Sequence, residues 1–327
     1  MSVVLDQGDA SMSAADLSKY TLGWVGIGRM GFPMADRLAK AGADLAVWNR
    51  TRSKAEPLTK HGAKIVENLV DLAKCDIVFS MVSTSADVKH VLFGENGILS
   101  GDATPKIFVE CSSISIAASA EIRTAIEARG AKYIASPVSG NGKCVKAGKL
   151  ALVTSGPKDV FDEVRVYQQI IAGLGVTYVG EGELARTMKI CHNVYLGVVT
   201  QSLAELTILA QKAGVPRHAF LAFINNSVMG SIFSRYKTPG WVNRDYTTTF
   251  TPELLRKDMD LGLTLARELE VPMPVANATR DVIQQSMGHG NRGDMDFSIL
   301  LEYMAKCSGV NNLQAEGVRV SDGLEAT

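Results

Sequence analysis

The sequence predicts an α/β fold in which a doubly wound parallel sheet is followed by an all-helical domain. Short apolar runs alternate with helical patterns from residue 21 to about residue 183, which is typical of a parallel sheet covered by helices. From Gly182 onward the sequence shows helical periodicity and almost no strand signal. This change indicates a domain boundary, with a long apolar helix from Leu184 to about Lys212 joining the halves.

The first predicted part of the sheet is a strand, a turn, a helix and a second strand. Leu22–Val25 is a short apolar run, and the turn Gly26–Gly31 follows it directly. Met34 and Leu38 are spaced one helical turn apart, and Ala43–Trp48 has the pattern of a strand. The order and spacing are those of a βαβ unit.

The glycines of this turn have the pattern of a Rossmann-type dinucleotide-binding motif. Gly26 can form the tight turn, Gly28 lets backbone N–H groups approach a pyrophosphate, and Gly31 lets the helix pack closely on the sheet. The helix N-terminus carries a partial positive charge that favours phosphate. The glycine pattern alone is a weak signal, but the βαβ spacing around it strengthens the prediction. We assign the whole turn to the cofactor site: Gly26, Ile27, Gly28, Arg29, Met30 and Gly31.

The end of the second strand favours NADP(H) over NAD(H). A cofactor without a 2′-phosphate is usually held by an acidic residue about 20 residues after the glycines. Here the corresponding residue is Asn49, followed by Arg50, Thr51, Arg52 and Lys54. An amide does not repel a phosphate dianion as a carboxylate does, and a guanidinium can bind it bidentately. A basic turn with solvated charges is the alternative interpretation.

The alternation of strands and helices continues to residue 179. Further strands are predicted at Ile77–Val82, Ile107–Cys111, Lys132–Ala135, Leu150–Thr154 and Val176–Val179, with helices such as Ala117–Arg129 and Lys158–Gly173 between them. After the long helix, glycine and proline interrupt the helical pattern near Gly214–Pro216 and Val271–Pro274.

The composition argues against several classes of function. With 34 basic and 34 acidic residues, the formal net charge is zero, which gives no electrostatic reason to expect nucleic acid or a membrane as partner. No stretch has the length and apolarity of a membrane span, and the first 20 residues do not resemble a signal peptide. The five cysteines are scattered and form no Cys/His cluster, so we expect no metal site, reduced thiols and a cytoplasmic protein.

Ala135–Gly142 is the first of three further segments that we expect at one site. It is a loop after a strand, and its small residues leave backbone N–H groups and the Ser139 hydroxyl free to hold a substrate carboxylate. A plain proline/glycine turn is the competing interpretation.

Lys189 and Asn193 form the second segment. Their i, i+4 spacing places both on one face of the long helix. Because Ile190 and Val194 are apolar, we expect Lys189 against a largely buried surface, where a lysine is costly without a purpose or a partner. A lysine that reaches solvent is the alternative, and His192 is more typical of a structural residue than of a base.

The third segment is Leu254–Leu261, a helix with a mixed charged face. Lys257 on this helix could reach an anionic group of the cofactor or the substrate. A solvated charge cluster is an equally good interpretation of this spacing.

These motifs resemble those of the β-hydroxyacid dehydrogenase family, which includes 3-hydroxyisobutyrate dehydrogenase and glyoxylate/succinic semialdehyde reductase. They occur in the same order over roughly residues 22–310, as Val25–Ala35, Pro137–Gly140, Lys189–Asn193 and Lys257–Asp258. The resemblance implies a 6-phosphogluconate dehydrogenase-like Rossmann domain, a helical C-terminal domain, and a homodimer or homotetramer. The segment after the second strand is similar to that of the NADPH-using glyoxylate/succinic semialdehyde reductases.

The resemblance also implies roles for the matching residues. Lys189 would donate and accept the proton, and Asn193 would orient the substrate or Lys189. Ser139 and Gly140, together with Lys189 and Asn193, would bind the substrate. Three further residues would contact the cofactor, the last of them near the nicotinamide: Val82, Ser113 and Lys257.

The resulting hypothesis is an oxidoreductase that transfers hydride between NADP(H) and a small carboxylate substrate, namely a β-hydroxy acid, semialdehyde or oxo acid. The expected segments are a disordered lead-in (1–20), an NADP-binding Rossmann domain (21–183), a helical substrate and dimerisation domain (184–316) and a tail (317–327). An NADPH-dependent imine reductase and a non-catalytic NADP-binding protein are the alternatives, and Lys189 disfavours both.

The substrate loop departs from the family pattern at three positions. Many members have Asp-Ala-Pro-Val-Ser-Gly-Gly, where this chain has Ala135, Ser136 and Asn141. An acidic residue is missing and a glycine is replaced, so the identity of the substrate stays open.

Overall fold

The computed structural model describes residues 17–291 and 293–324. They divide into two compact units, and the division falls between Lys189 and Ile190. The first unit combines sheets with helices and the second is mostly helical, which confirms the fold class predicted from the sequence.

A parallel sheet lies at the centre of the first unit. Its six strands are β1 (Leu22–Val25), β2 (Leu45–Trp48), β3 (Lys64–Ile65), β4 (Ile77–Ser80), β5 (Ile107–Glu110) and β6 (Lys132–Ala135). Their order in the sheet is β3-β2-β1-β4-β5-β6, and all neighbouring pairs are parallel. Strand order therefore reverses between β1 and β4, the point at which open α/β sheets bind ligands outside their carboxyl ends.

Helices cover both faces of this sheet. They are α1 (Gly31–Lys40), α2 (Ser85–Phe93), α3 (Ile116–Glu127), α4 (Gly142–Lys146) and α5 (Lys158–Ile171). Successive strand residues point to opposite faces, so Trp24 packs in one core with α1 and α5, and Val25 packs in the other with α2 and α3. Burial on both faces explains why the strands are continuous apolar runs.

The last three strands form a separate sheet, which differs from the single sheet that the alternating pattern indicated. They are β7 (Val138–Ser139), β8 (Ala151–Thr154) and β9 (Gly175–Tyr178), with β7 antiparallel to β8 and β8 parallel to β9. The chain leaves β6 through Pro137, which has no N–H to extend a ladder. One antiparallel bridge, between Ala135 and Ser155, connects the two sheets.

Six helices account for most of the second unit. They are α6 (Leu184–Lys212), whose first residues belong to the first unit, α7 (Arg217–Asn226), α8 (Ile232–Asn243), α9 (Pro252–Glu268), α10 (Pro274–Gly288) and α11 (Leu300–Cys307). Both predicted breaks fall between helices. Within the described ranges, no helix combines the length and apolarity that crossing a membrane requires.

Both ends of the described chain pack on the unit to which they belong. Leu17 is buried in a core of the first unit, and the Tyr20 hydroxyl donates a hydrogen bond to Glu163. Residues 17–20 of the predicted lead-in therefore include contacts with the first unit, and residues 1–16 lie outside the described residues. In the predicted tail, Asn243 donates a hydrogen bond to the Val318 carbonyl (2.9 Å). Residues 325–327 of that tail also lie outside the described residues.

Candidate active site

The fold requires two of the three motif glycines in the turn between β1 and α1, and it does not require the third. Gly26 has a φ of +96°, and a Cβ there would lie 2.2 Å from the Met81 carbonyl oxygen. A Cβ on Gly31 would lie 1.8 Å from the Gly26 carbonyl oxygen. Gly28 is exposed, and a Cβ there would meet nothing within 4 Å. Since no atom of the described residues requires glycine at position 28, the open space fits the close approach of a pyrophosphate to the backbone.

The Asn49 side chain fixes this turn. Its Oδ1 accepts a hydrogen bond from the Ile27 N–H (2.9 Å), and its Nδ2 donates to the Thr51 carbonyl (2.8 Å). The half-buried amide therefore ties the end of β2 to the glycine turn, a role that the sequence analysis missed. The contact of Asn49 with the cofactor stays a prediction.

The basic residues after Asn49 differ in their partners. Arg50 and Thr51 are exposed, and Arg50 makes no hydrogen bond or ion pair with any described residue. Arg52 forms an ion pair with Glu67 (2.9 Å) in which both side chains are more than half exposed. Arg50 is thus the guanidinium of this turn that no described residue compensates.

The loops after β4 and β5 meet beside the glycine turn. The Val82 N–H donates a hydrogen bond to Ser112 Oγ (2.8 Å). Val82 Cγ1 lies 3.0 Å from the position that a Cβ on Gly26 would occupy. Ser113 follows Ser112 and is exposed. The structure therefore brings together three residues that the sequence analysis assigned to the cofactor: Gly26, Val82 and Ser113.

The predicted substrate loop packs on the glycine turn. Ser139 ends β7, and Gly140 follows it with a φ of +131° and an exposed backbone. A Cβ on Gly142 would lie 2.7 Å from the Arg29 carbonyl oxygen. The loop predicted to hold a carboxylate and the turn predicted to hold a pyrophosphate are therefore in direct contact.

The three departures from the family pattern have structural roles. Ala135 and Ser136 are buried, and Ser136 Oγ hydrogen-bonds to Thr154 Oγ1 (3.0 Å) and Gln168 Nε2 (2.9 Å). Asn141 caps α4, because its Oδ1 accepts hydrogen bonds from the first N–H groups at 2.9 and 3.1 Å. The departures thus alter a buried polar contact and a helix cap.

A buried ion pair missed by the sequence analysis anchors the first turn of α6. Arg186 and Glu110, which ends β5, are each 1% exposed, with Nη2 and Oε2 2.6 Å apart. Burial works against the charge of Arg186, but Tyr133 and Glu110 raise the pKa of this guanidinium above its ordinary value. The available signal was a carboxylate within the apolar strand Ile107–Cys111, which needs a partner when buried.

Lys189 lies three residues after Arg186 on α6 and is half-buried. Its neighbour Met188 is 48% exposed, and Ile190 is half-buried. The role of Lys189 stays a prediction.

Asn193 and Lys257 belong to the second unit, where Asp258 links them. Asn193 and Asp258 are buried, and the Asn193 amide donates a hydrogen bond to Asp258 Oδ2 (2.5 Å). Lys257 forms an ion pair with Asp258 Oδ1 (3.0 Å). His192 Nδ1 lies 2.9 Å from Asn193 Oδ1. Asp258, the second residue of the Lys257–Asp258 motif, therefore orients the Asn193 amide.

Comparison with known proteins identifies the family to which both parts of the chain are similar. Residues 21–180 match the NAD binding domain of 6-phosphogluconate dehydrogenase. Residues 180–304 match the NAD-binding family model of NADP-dependent 3-hydroxyisobutyrate dehydrogenase. The two matches together cover most of the chain.

Individual relatives show the same family. Glyoxylate/succinic semialdehyde reductase 2 of Arabidopsis thaliana is 32% identical over 288 residues, which cover 88% of this chain and 80% of that protein. Glyoxylate/succinic semialdehyde reductase 1 of Arabidopsis thaliana is 30% identical, over 86% and 97% of the two chains. The crystal structure of 3-hydroxyisobutyrate dehydrogenase from Salmonella typhimurium shares the fold, with a TM-score of 0.77, 23% identity and coverage of 87% and 100%. The chain therefore belongs to the 3-hydroxyisobutyrate dehydrogenase-like β-hydroxyacid dehydrogenase family of NAD(P)-dependent oxidoreductases.

Proposed function

We propose that this protein reduces a small oxo acid or semialdehyde with NADPH, and that Lys189 is the general acid. The observation that carries the proposal is the packing of Gly142 on the Arg29 carbonyl. This contact sets a loop suited to a carboxylate beside a turn suited to a pyrophosphate. The names of the Arabidopsis relatives support the choice of glyoxylate and succinic semialdehyde as the first substrates to test.

The turn after β2 supports NADP(H) as the preferred cofactor. Asn49 replaces the carboxylate that would repel a 2′-phosphate, and its amide is held in place by Ile27 and Thr51. Arg50 is exposed and uncompensated by the described protein, so it is suited to bind the phosphate bidentately.

In the proposed mechanism, the protein holds the substrate and supplies the proton. When bound, the nicotinamide supplies a hydride to the carbonyl carbon. Ser139 and Gly140 anchor the substrate carboxylate and thereby fix the distance of the carbonyl. The Lys189 ammonium hydrogen-bonds the carbonyl oxygen and donates its proton as negative charge develops there. Asn193 follows Lys189 by one turn on α6, and its amide is held by Asp258 on α9, so it is suited to orient the substrate or Lys189.

The reaction is tested by following NADPH oxidation, with NADH in parallel, across glyoxylate, succinic semialdehyde, tartronate semialdehyde, methylmalonate semialdehyde and a cyclic imine. We expect NADPH-specific turnover of one oxo acid. Lys189→Ala should lower kcat by roughly 10²–10⁴-fold and leave the Kd of NADPH unchanged, because general acid catalysis contributes about that much.

Lys212→Ala is the matched control, because Lys212 lies on the same helix and donates a hydrogen bond to the Ser308 carbonyl. This variant should keep the wild-type kcat. Near-full turnover by Lys189→Ala would contradict the role of Lys189. Reduction of the cyclic imine alone would identify an imine reductase, and tight NADPH binding without any turnover would identify a non-catalytic protein.

We also propose a homodimer or homotetramer in the cytoplasm. Large apolar side chains on α6 and α7 are exposed in the second unit, among them Tyr195 (68%), Leu209 (65%) and Phe223 (72%). Exposed apolar side chains of this kind are typical of an interaction surface.

A further inference from the structure

The Arg186 side chain joins the start of α6 to four other parts of the first unit. Its guanidinium lies within hydrogen-bond distance of five acceptor atoms, three of which share the two N–H groups of Nη2. Nη2 reaches the carboxylate and the carbonyl of Glu110 (2.6 and 3.2 Å) and the Tyr133 hydroxyl (3.1 Å). Nη1 reaches the Ser112 carbonyl (2.5 Å), and Nε reaches Ser119 Oγ (3.1 Å). The acceptors lie on β5, β6, α3 and the loop after β5.

The Glu110 carboxylate continues this network toward the predicted cofactor edge. Its second oxygen, Oε1, accepts hydrogen bonds from the Ser112 N–H (2.8 Å) and the Ser80 hydroxyl (3.2 Å). Ser112 Oγ in turn accepts the Val82 N–H (2.8 Å). An unbroken set of hydrogen bonds therefore runs from Arg186 to the backbone of Val82.

Stability alone is a weak explanation for this pair. Removing two charges from water costs free energy, and well-packed apolar residues in place of a buried ion pair are often neutral or stabilising. The guanidinium instead constrains the geometry of the helix start. Because its five acceptors lie in fixed directions, they determine both the position and the rotation of the first turn of α6. Lys189 is three residues further along that helix, so its side chain emerges next to that of Arg186.

We infer that Arg186, held by Glu110, is a positioning residue that fixes Lys189 relative to the Val82–Ser113 edge of the cofactor site. The inference rests on the proposed function of Lys189. A rotation of the helix start would displace the Lys189 ammonium, and a displacement of about 1 Å can cost about 10²-fold in rate.

The first test measures kcat, KM and the Kd of NADPH for Arg186→Lys and Tyr133→Phe. Lysine keeps the charge but loses the fork of donors, so we expect kcat to fall by roughly 10–100-fold. KM and the Kd of NADPH should stay within about threefold of the wild type, because binding contacts are retained. Tyr133→Phe removes one acceptor and keeps the ion pair, so kcat should fall by about 3–10-fold.

Asp296→Asn is the matched control, since Asp296 belongs to a similarly buried ion pair in the second unit. It should lose stability and keep kcat. A folded Arg186→Lys variant with wild-type kcat would overturn the inference. If Arg186→Lys does not fold, Tyr133→Phe decides, and an unchanged kcat in that variant overturns the inference.

A second readout does not depend on turnover. The rate at which trace acetic anhydride acetylates Lys189 is measured by mass spectrometry with and without saturating NADPH. NADPH should slow acetylation of Lys189 in the wild type but not in Arg186→Lys. If Arg186→Lys does not fold, the comparison is made with Tyr133→Phe, in which NADPH should slow acetylation less than in the wild type. Equal protection in wild type and variant, or no protection in the wild type, would overturn the inference. If the wild type reduces no oxo acid, the proposed function fails, and the acetylation comparison still decides the role of Arg186.

Discussion

Each unit buries an ion pair whose side chains are no more than 5% exposed, but the two pairs have different surroundings. Glu110 and Arg186 lie at the carboxyl ends of parallel strands and hydrogen-bond to the loops predicted to hold the cofactor. Lys237 Nζ and Asp296 Oδ1 lie 2.6 Å apart in the second unit, next to the core side chain of Phe297. Burial and pairing therefore do not reveal what a charge is for, whereas the groups that share its hydrogen bonds do.

The pair in the second unit connects α8 to the turn before α11. The Lys237 ammonium lies 4.3 Å from the centre of the Phe297 ring and donates a hydrogen bond to Thr249 Oγ1 (3.1 Å). Asp296 accepts hydrogen bonds from the N–H groups of Thr249 (2.9 Å) and Ser298 (3.0 Å). Burial works to raise the pKa of Asp296, but Lys237 and the hydroxyl groups of Thr249 and Ser298 lower it overall. None of these partners was predicted to bind the cofactor or the substrate.

The largest expected effect distinguishes the ion pair that supports only stability from the ion pair that also supports turnover. Asp296→Asn should lower the free energy of unfolding by about 3–5 kcal/mol, because it leaves the Lys237 ammonium buried without a counter-charge. Glu110→Gln should be destabilising for the same reason, but only Glu110→Gln should also lower kcat. Urea denaturation followed by circular dichroism gives the stability, and kcat is measured where both variants are folded. The comparison fails if the two variants lose kcat equally.

A smaller effect is expected from the same substitution at a glycine in each unit. A Cβ on Gly28 or on Gly288, the last residue of α10, would meet nothing within 4 Å. Gly28→Ala should weaken NADPH binding at least tenfold, about 1.4 kcal/mol, because the methyl group occupies the space proposed for the pyrophosphate. Gly288→Ala should leave the Kd of NADPH unchanged and stabilise the protein by about 0.4–1 kcal/mol. Fluorescence titration with NADPH distinguishes them, and equal Kd values for both variants would remove the support that Gly28 gives to the cofactor site.

The smallest effect concerns Glu316 and His218, a less buried ion pair in the second unit. Glu316 accepts the N–H groups of Arg217 (2.8 Å) and His218 (2.9 Å). Partial burial acts to raise the pKa of Glu316, but these hydrogen bonds lower it below its ordinary value of 4.5. Glu316 therefore stabilises the fold above about pH 4.5, and that stabilisation is lost as the pH falls through the lower pKa of the folded state.

Glu316→Gln should accordingly lower stability near neutral pH by less than about 1 kcal/mol. The difference from the wild type should shrink as the pH falls below 4.5, the ordinary value for this carboxyl. Thermal unfolding over a pH series measures it. A difference that is the same at every pH would show that the charge of Glu316 does not contribute.

The features predicted from the sequence are those set by short segments of chain. The bounds of α6, Leu184 to Lys212, follow from helical periodicity ended by Gly214 and Pro216, and the glycine turn follows from six consecutive residues. The missed features depend on distant pairs. Arg186 and Glu110 are 76 residues apart in sequence, and Asn193 and Asp258 are 65 apart. Neither spacing has a periodicity that a single sequence reveals.

The contact of Gly142 with the Arg29 carbonyl also limits how this enzyme can be redesigned. A side chain at position 142 would displace the backbone of the glycine turn, so the two loops form one module that must be exchanged as a whole. Under the proposed function, we expect a graft from a relative that replaces only residues 135–142 to weaken binding of the coenzyme. Arg50 is exposed, and under the proposed function it is the position at which we expect a substitution to alter coenzyme preference without disturbing that module.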